Sequence, residues 1–228
     1  MRIRFAATAV LVVTLLAAAP LSAGAAPVAN PHTPGESLAA LVEGNKRFAG
    51  EMAEHPGQDE FRRHETAAGQ TPLAAVLACA DSRVPVEHIF DRGIGDIFVI
   101  RVAGNTVGTA VLGSVEYAVT QLNVPLVVIL GHTSCGAVGG AWQGGELSPN
   151  MAGLLAPLVS IAEEVKAESP GMLVSGNDKG KRLVTEANIR HGVEAVAARV
   201  PTARERMEAG KLQVCGAEYD IATGLVRW

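Results

Sequence analysis

The stretch Leu73-Ala-Ala-Val-Leu-Ala-Cys79-Ala-Asp81-Ser-Arg83 decides the fold of this 228-residue chain. Residues 73–78 are a continuous apolar run, bounded by Pro72 on one side and by polar residues on the other. A short apolar run without alternation is typical of a strand that is buried on both faces. Such strands belong to parallel sheets covered by helices, so the stretch predicts an α/β fold.

The same strand pattern recurs along the chain and alternates with helical patterns. Further strands are predicted at 96–102 and 125–130, and strand-like segments at 211–218 and 225–228 flank a turn at 220–224. Apolar residues at helical spacing predict helices at 36–49, 106–122, 134–143, 151–167, 181–199 and 203–209. The alternation predicts a central, mostly parallel sheet flanked by helices, with a C-terminal edge strand or hairpin.

Residues 1–25 have the pattern of a signal peptide. Arg2 and Arg4 form a basic start, residues 6–19 carry no charge, and Ala23-Gly-Ala25 is a small-x-small cleavage sequence. A membrane anchor is the weaker alternative, because the apolar run is shorter than the ~20 residues of a spanning helix. Proline-rich residues 26–35 predict a flexible leader. We expect an exported protein, periplasmic or secreted and free of the membrane after cleavage, with one domain over residues 36–228.

The composition excludes several classes of protein. Hydrophobic residues make up 48% of the chain, too many for a disordered protein, and 3 cysteines are too few for a disulfide scaffold. The net charge is -4 and Lys and Arg form no cluster, so we expect no nucleic-acid partner. An odd cysteine count in an exported chain leaves metal binding or a free thiol to be explained.

Two polar segments directly after predicted strands carry the candidate chemistry. Cys79, Asp81 and Arg83 follow the strand at 73–78, and His132 and Cys135 follow the strand at 125–130. Ligands of open parallel sheets bind beyond the carboxyl ends of the strands, where these segments are expected to meet. Two thiolates, an imidazole and a carboxylate are a zinc ligand set. Either the two cysteines and His132 leave a fourth position open, or Asp81 fills it.

With these residues the chain resembles the β-class carbonic anhydrases. The resemblance extends over about residues 36–228 and rests on Cys79-Ala-Asp-Ser-Arg83, Phe90-Asp-Arg-Gly-Ile-Gly-Asp-Ile-Phe-Val-Ile-Arg101, Ala103-Gly-Asn105, Ser114-Val-Glu-Tyr117 and Gly131-His-Thr-Ser-Cys-Gly136. It implies a β-carbonic anhydrase-like fold. It also implies zinc-dependent, reversible hydration of carbon dioxide to bicarbonate and a proton by zinc-bound hydroxide.

The resemblance assigns roles to the residues of the two segments. Cys79, His132 and Cys135 are expected to bind one Zn²⁺ per chain. Asp81 and Arg83 are expected to be a catalytic pair, in which the arginine keeps the carboxylate off the metal while the site is open. A released Asp81 would become the fourth metal ligand and close the site, which would lower the activity at low pH.

The resemblance also implies a substrate pocket and an assembly. Gln70, Phe98 and Tyr117 are expected to bind carbon dioxide, in part across a subunit interface, so the resemblance implies a homodimer or a tetramer of dimers. Two other functions stay open. The same fold could hydrolyse carbonyl sulfide or carbon disulfide, or the chain could be a non-catalytic protein that binds zinc or bicarbonate.

Overall fold

The computed structural model describes residues 32–169 and 178–228. The predicted signal peptide at 1–25 and most of the predicted leader at 26–35 therefore lie outside the described residues. Within the described ranges, no helix combines the length and the apolar character that crossing a membrane requires.

A five-stranded sheet forms the centre of the fold. Its strands are β1 (Ala74–Cys79), β2 (Ile97–Val102), β3 (Leu126–His132), β4 (Gln213–Tyr219) and β5 (Val226–Arg227), in the spatial order β2-β1-β3-β4-β5. The first four strands are parallel, and β5 runs antiparallel to β4. The predicted α/β fold, with its mostly parallel sheet and its C-terminal hairpin, is confirmed.

Eight helices are present in the described part of the chain. They are α1 (Pro34–Ala49), α2 (Glu60–Thr66), α3 (Val86–Ile89), α4 (Thr109–Thr120), α5 (Gly136–Gln143), α6 (Pro149–Glu168), α7 (Asp178–Arg199) and α8 (Pro201–Glu208). Six of them correspond to predicted helices. The sequence did not predict α2 and α3, because helices of 7 and 4 residues are too short to show an apolar period.

The helices pack on both faces of the two central strands. Every residue of β1 and β3 is buried, as the apolar runs predicted. Alternate residues point to opposite faces, so that Leu77 and Val127 join one core cluster with α4 and α7, whereas Val76 and Val128 join another with α1 and α3. A strand pair fixed on both faces is a rigid base for any residue that follows it.

Two glycines of the sheet let α7 approach closely. A Cβ atom at Gly131 would lie 2.6 Å from Cδ1 of Ile189, and a Cβ at Gly216 would lie 2.3 Å from its Cγ2. Both distances are shorter than side-chain atoms tolerate. Ile189 therefore rests directly on the backbone of β3 and β4, which sets the height of α7 above the sheet.

Candidate metal centre

The carboxyl ends of β1 and β3 bring three buried metal-ligating side chains together. Cys79 is the last residue of β1, His132 is the last residue of β3, and Cys135 is the N-cap of α5. Because β1 and β3 are neighbours in the sheet, the ligand atoms of these residues lie within 4.8 Å of one another. The two sulfur atoms are 4.0 Å apart although the cysteines are 56 positions apart in the sequence.

His132 presents one of its ring nitrogens to the two sulfur atoms. Its Nδ1 lies 2.9 Å from the Thr133 carbonyl oxygen, to which it donates its hydrogen in the neutral tautomer. Its Nε2 is buried and has no hydrogen-bond partner among the described residues. An unpaired buried polar atom costs about 1–3 kcal/mol, and a metal ion bound at Nε2 would remove that cost. Two sulfur atoms and one imidazole nitrogen suit Zn²⁺.

The surroundings of the thiols favour a negative charge on Cys79. Its pKa is lowered by a hydrogen bond from the Cys135 thiol, against the opposing effect of burial. Backbone N–H groups of Gly104 and Asp81 also donate to the sulfur of Cys79, at 3.2 and 3.4 Å. The pKa of Cys135 is raised, because its proton is held by the Cys79 sulfur and because it is buried. Cys79 is therefore favoured as a thiolate, which is the form of cysteine that binds a metal ion.

Asp81 lies beside the three ligand atoms but is held by Arg83. The Arg83 side chain donates to both carboxylate oxygens, at 3.0 Å to Oδ1 and 2.7 Å to Oδ2, and its backbone N–H donates to Oδ1 at 3.0 Å. These hydrogen bonds hold the pKa of Asp81 far below its usual range. Oδ2 is 4.0 Å from Nε2 of His132. The carboxylate thus stays ionised within reach of a molecule bound among the ligand atoms.

Two arginines fix the segments that carry the ligands. Arg83 also donates to the carbonyl oxygen of Ser134 at 3.1 Å, which connects the segment after β1 to the segment after β3. Arg101, at the end of β2, donates to the carbonyl oxygens of Cys79 and Asp81. Arg101 was not predicted from the sequence to have a role at the metal centre. Its place in the strand next to β1, where it pairs with Ala78, was the available signal.

The three predicted substrate residues lie in different surroundings. Phe98 of β2 packs against Tyr117 of α4, with ring centroids 6.0 Å apart. Tyr117 keeps 49% of its surface exposed. Gln70 is exposed in the loop between α2 and β1. The structure therefore brings the two aromatic residues together on an open face, and it places Gln70 on a separate exposed loop.

Comparisons with known proteins agree with this geometry. A family model described as "Carbonic anhydrase" matches residues 74–226. The chain is 45% identical to carbonic anhydrase 2 of Mycobacterium tuberculosis over 188 residues, which is 81% of this chain and 87% of the relative. It is 40% identical to a carbonic anhydrase of Mycolicibacterium smegmatis over 193 residues, 82% of this chain and 89% of the relative.

Solved structures show the same fold. A tetrameric β-carbonic anhydrase of Sordaria macrospora superposes with a TM-score of 0.67 at 27% identity, covering 84% of this chain and 95% of that one. The β-carbonic anhydrase CafA of Aspergillus fumigatus superposes with a TM-score of 0.67 at 30% identity, covering 83% and 89%. The chain therefore belongs to the β-class carbonic anhydrases, the family of zinc enzymes that reversibly hydrate carbon dioxide to bicarbonate.

Proposed function

We propose that this chain hydrates carbon dioxide at one Zn²⁺ held by Cys79, His132 and Cys135. The observation that carries the proposal is the buried, unpartnered Nε2 of His132 beside two sulfur atoms. Zinc bound there would supply a Lewis acid that lowers the pKa of a water molecule towards neutrality. The three protein ligands leave the fourth position open, which is the pattern of catalytic rather than structural zinc sites.

Asp81 orients the attacking oxygen in this proposal. Its Oδ2 lies 4.0 Å from Nε2 of His132, and as an ionised oxygen it accepts a hydrogen bond from a water or hydroxide beside it. Arg83 keeps that oxygen in place and off the metal through its two side-chain hydrogen bonds. Arg83 joins the two ligand segments and also holds the carboxylate off the metal, and this second role is one that a purely structural site does not require.

The aromatic face supplies the substrate pocket and a subunit contact in the same proposal. Phe98 and Tyr117 offer an apolar surface suited to a small, uncharged molecule such as carbon dioxide. The exposed half of Tyr117 is available to a second copy of the chain, and Gln70 is exposed on its own loop. We therefore propose a homodimer or a tetramer of dimers, in which the pocket is completed across the interface.

Stopped-flow hydration of carbon dioxide by protein of known zinc content tests the proposal. We expect rapid hydration by wild-type protein and its loss in Cys79→Ser, since a serine oxygen is a poor zinc ligand. Cys215→Ser is the matched control, because Cys215 lies in β4 and outside the metal-ligating group. It should keep full activity.

Inactive wild-type protein with one zinc per chain would contradict the proposal. The same protein should then be tested with carbonyl sulfide and carbon disulfide, which are linear molecules that the same site could hydrolyse. A protein that binds zinc but turns over none of the three substrates would leave a binding role.

We also propose that the chain is exported to the periplasm or the medium. The basic start, the uncharged run and the Ala23-Gly-Ala25 sequence support cleavage after Ala25. Mass spectrometry of protein recovered outside the cytoplasm should show a chain that begins at Ala26. An uncut chain that stays in the cytoplasm would contradict the proposal.

A further inference from the structure

We propose that Asn188 is a positioning residue for the metal ligand Cys79, and that it acts through the backbone of Gly104. The inference rests on the metal site of the proposed function. It adds a residue of α7 whose side chain holds the backbone that donates to the metal-ligating sulfur.

The peptide of Gly104 is in direct contact with the metal-ligating sulfur. Its N–H donates to Sγ of Cys79 at 3.2 Å, inside the buried region of the structure. Gly104 has a φ of 70°, a left-handed conformation that favours glycine. A Cβ atom there would also lie 3.0 Å from Cβ of Ala137 and 3.1 Å from Cδ2 of Leu158. The conformation favours glycine, and the packing leaves little room for a Cβ atom at this position.

The other end of the same residue is held by Asn188. Nδ2 of Asn188 donates to the carbonyl oxygen of Gly104 at 2.9 Å, across 84 positions of sequence. Asn188 is only 2% exposed, and its Oδ1 has no hydrogen-bond partner among the described residues. A buried amide whose oxygen has no hydrogen-bond partner lowers the stability of the fold, and a leucine of similar size at this position would not carry that penalty. The hydrogen bond to Gly104 is the one compensating contact that the described residues provide.

The position of α7 makes this hydrogen bond possible. Ile189, the next residue, rests on the backbone of β3 and β4 at Gly131 and Gly216. This close approach brings the amide of Asn188 within reach of the turn Ala103–Asn105, which follows β2. Helix α7 thereby holds the turn through the carbonyl oxygen of Gly104, and the N–H of Gly104 points at the sulfur of Cys79.

The consequence is a fixed environment for a charged ligand. Each N–H group that points at a metal-bound thiolate stabilises its negative charge and orients its lone pairs. Without Asn188, the peptide group that follows the Cα atom of Gly104 would lose its partner at the carbonyl oxygen. The φ and ψ angles of Gly104 would then be less restrained, and the preceding peptide group could turn its N–H away from the sulfur. Loss of such outer contacts typically weakens metal binding or activity about 10- to 100-fold.

Asn188→Leu, measured by zinc competition with a chromogenic chelator, tests the inference without any assay of catalysis. We expect the zinc dissociation constant to rise roughly 10-fold or more. In protein loaded with Co²⁺, the thiolate-to-cobalt absorption band should shift. Thr185→Val is the matched control, because Thr185 is buried on the same helix but its hydroxyl donates to the Lys181 carbonyl of that helix. It should change neither measurement.

Three outcomes decide between the inference and the proposed function. Wild-type protein that binds no zinc would overturn the proposed function itself. Tight zinc binding by wild type, with Asn188→Leu indistinguishable from Thr185→Val, would overturn only the role of Asn188. A weakened site in Asn188→Leu alone would support it.

A measurement on the wild type covers the case in which Asn188→Leu does not fold. In ¹¹³Cd-substituted, ¹⁵N-labelled protein, the amide proton of Gly104 should show a scalar coupling to the metal through the N–H···S hydrogen bond. The side-chain amide signals of Asn188 should move when the metal is removed. Absence of the coupling, or Asn188 signals that are unchanged by metal removal, would overturn the inference.

Discussion

At the scale of single residues, the metal centre depends on which atoms are left without a partner. Arg83 occupies both oxygens of Asp81, Thr133 occupies one nitrogen of His132, and the remaining nitrogen faces two sulfur atoms. Each hydrogen bond selects one protonation state or one orientation of a reactive group. The chemistry of the site is therefore set by the neighbours of the metal ligands as much as by the ligands.

Replacing the carboxylate tests this at Asp81. We expect Asp81→Asn to lower kcat/KM for carbon dioxide about 100-fold or more, because the uncharged amide has one acceptor oxygen in place of two and pairs poorly with Arg83. Zinc content should stay near one per chain, since the three protein ligands are intact. Stopped-flow assays at matched zinc content give both values.

Asp59→Asn serves as its control. Asp59 is the N-cap of α2, where its side chain accepts from the backbone of Arg62, and asparagine caps helices equally well. Full activity of Asp81→Asn would contradict the role of the carboxylate, and equal losses in both variants would indicate a general effect of the substitution.

Much of the candidate site was predictable from residue types and their positions after strands. Cys79, His132 and Cys135 follow two apolar runs, and parallel strands bring such positions to one edge of the sheet. The supporting residues were not predictable in this way. Asn188 reaches Gly104 across 84 positions, and nothing in the local sequence around either residue points to the other.

At the scale of elements, ion pairs and close contacts decide how helices attach to the sheet. Asp91, which follows α3, has a fully buried side chain that accepts from Arg47 of α1 at 2.6 Å. The backbone N–H groups of Glu54 and His55 also donate to it, at 3.1 and 2.9 Å. Burial alone would raise the pKa of Asp91, but these hydrogen bonds outweigh it and lower the pKa. One carboxylate thus holds the end of α1 and the segment after it.

This arrangement predicts a pH dependence of stability. A lowered folded-state pKa means that the stabilisation is complete above the unfolded-state pKa of about 3.9 and is lost as the pH falls through the folded value. We expect Asp91→Asn to reduce the free energy of unfolding by about 2 kcal/mol at pH 6. The difference from wild type should shrink as the pH falls below about 4.

Urea unfolding of both proteins at several pH values measures that difference. Effects of acid on the metal site are common to the two proteins and cancel in the comparison. A difference that stays constant down to pH ~2.5 would show that the ionised carboxylate is not the source of the stability.

The contact between α7 and the sheet gives a second prediction at this scale. Gly216→Ala should lower the free energy of unfolding by about 1–3 kcal/mol, because the new Cβ would lie 2.3 Å from Cγ2 of Ile189. Adding Ile189→Ala should relieve the clash, so that the double variant loses less than the sum of the two single losses. Chemical denaturation of the four proteins gives the values.

Gly153→Ala is the control for that series. Gly153 lies in α6 with open space around the position of a Cβ, so alanine should be neutral or stabilising there. A Gly216→Ala variant as stable as Gly153→Ala would show that α7 can move away from the sheet at no cost.

The element pattern was predictable where burial imposes a period. The central strands were predictable because both of their faces are covered, which makes their residues continuously apolar. Helix α7 was predictable because it is long enough, at 22 residues, to show a helical spacing of apolar residues. In contrast, α2 buries none of its residues and is held by polar contacts, such as that of Arg62 with Asp96 at 2.7 Å. Such a helix leaves no apolar period in the sequence. Its position depends on side chains that are distant along the chain.

At the scale of the whole molecule, the exposed aromatic face formed by Phe98 and Tyr117 is a candidate contact between subunits. Tyr117 is 49% exposed while its ring packs on Phe98. We expect sedimentation at micromolar concentration to show a dimer or a larger assembly. Tyr117→Glu should shift the protein towards the monomer, because a charge on the face must be desolvated on association.

Met151→Glu is the matched control, since Met151 of α6 is also 49% exposed. It should leave the assembly unchanged. A monomeric wild type, or an assembly insensitive to Tyr117→Glu, would contradict the proposed contact.

The 56 positions between Cys79 and Cys135 have a further consequence, which concerns the denatured chain. An ion bound to both sulfur atoms joins the chain into a ring and acts as a removable cross-link. For a loop of this length, the chain-entropy account of cross-links gives a stabilisation of about 4 kcal/mol, which is comparable to the total stability of many small domains. A chelator that removes the ion would then lower the melting temperature, because the denatured chain would no longer be cross-linked. The ion needed for turnover would thus also stabilise the folded protein by holding the ends of β1 and β3 together.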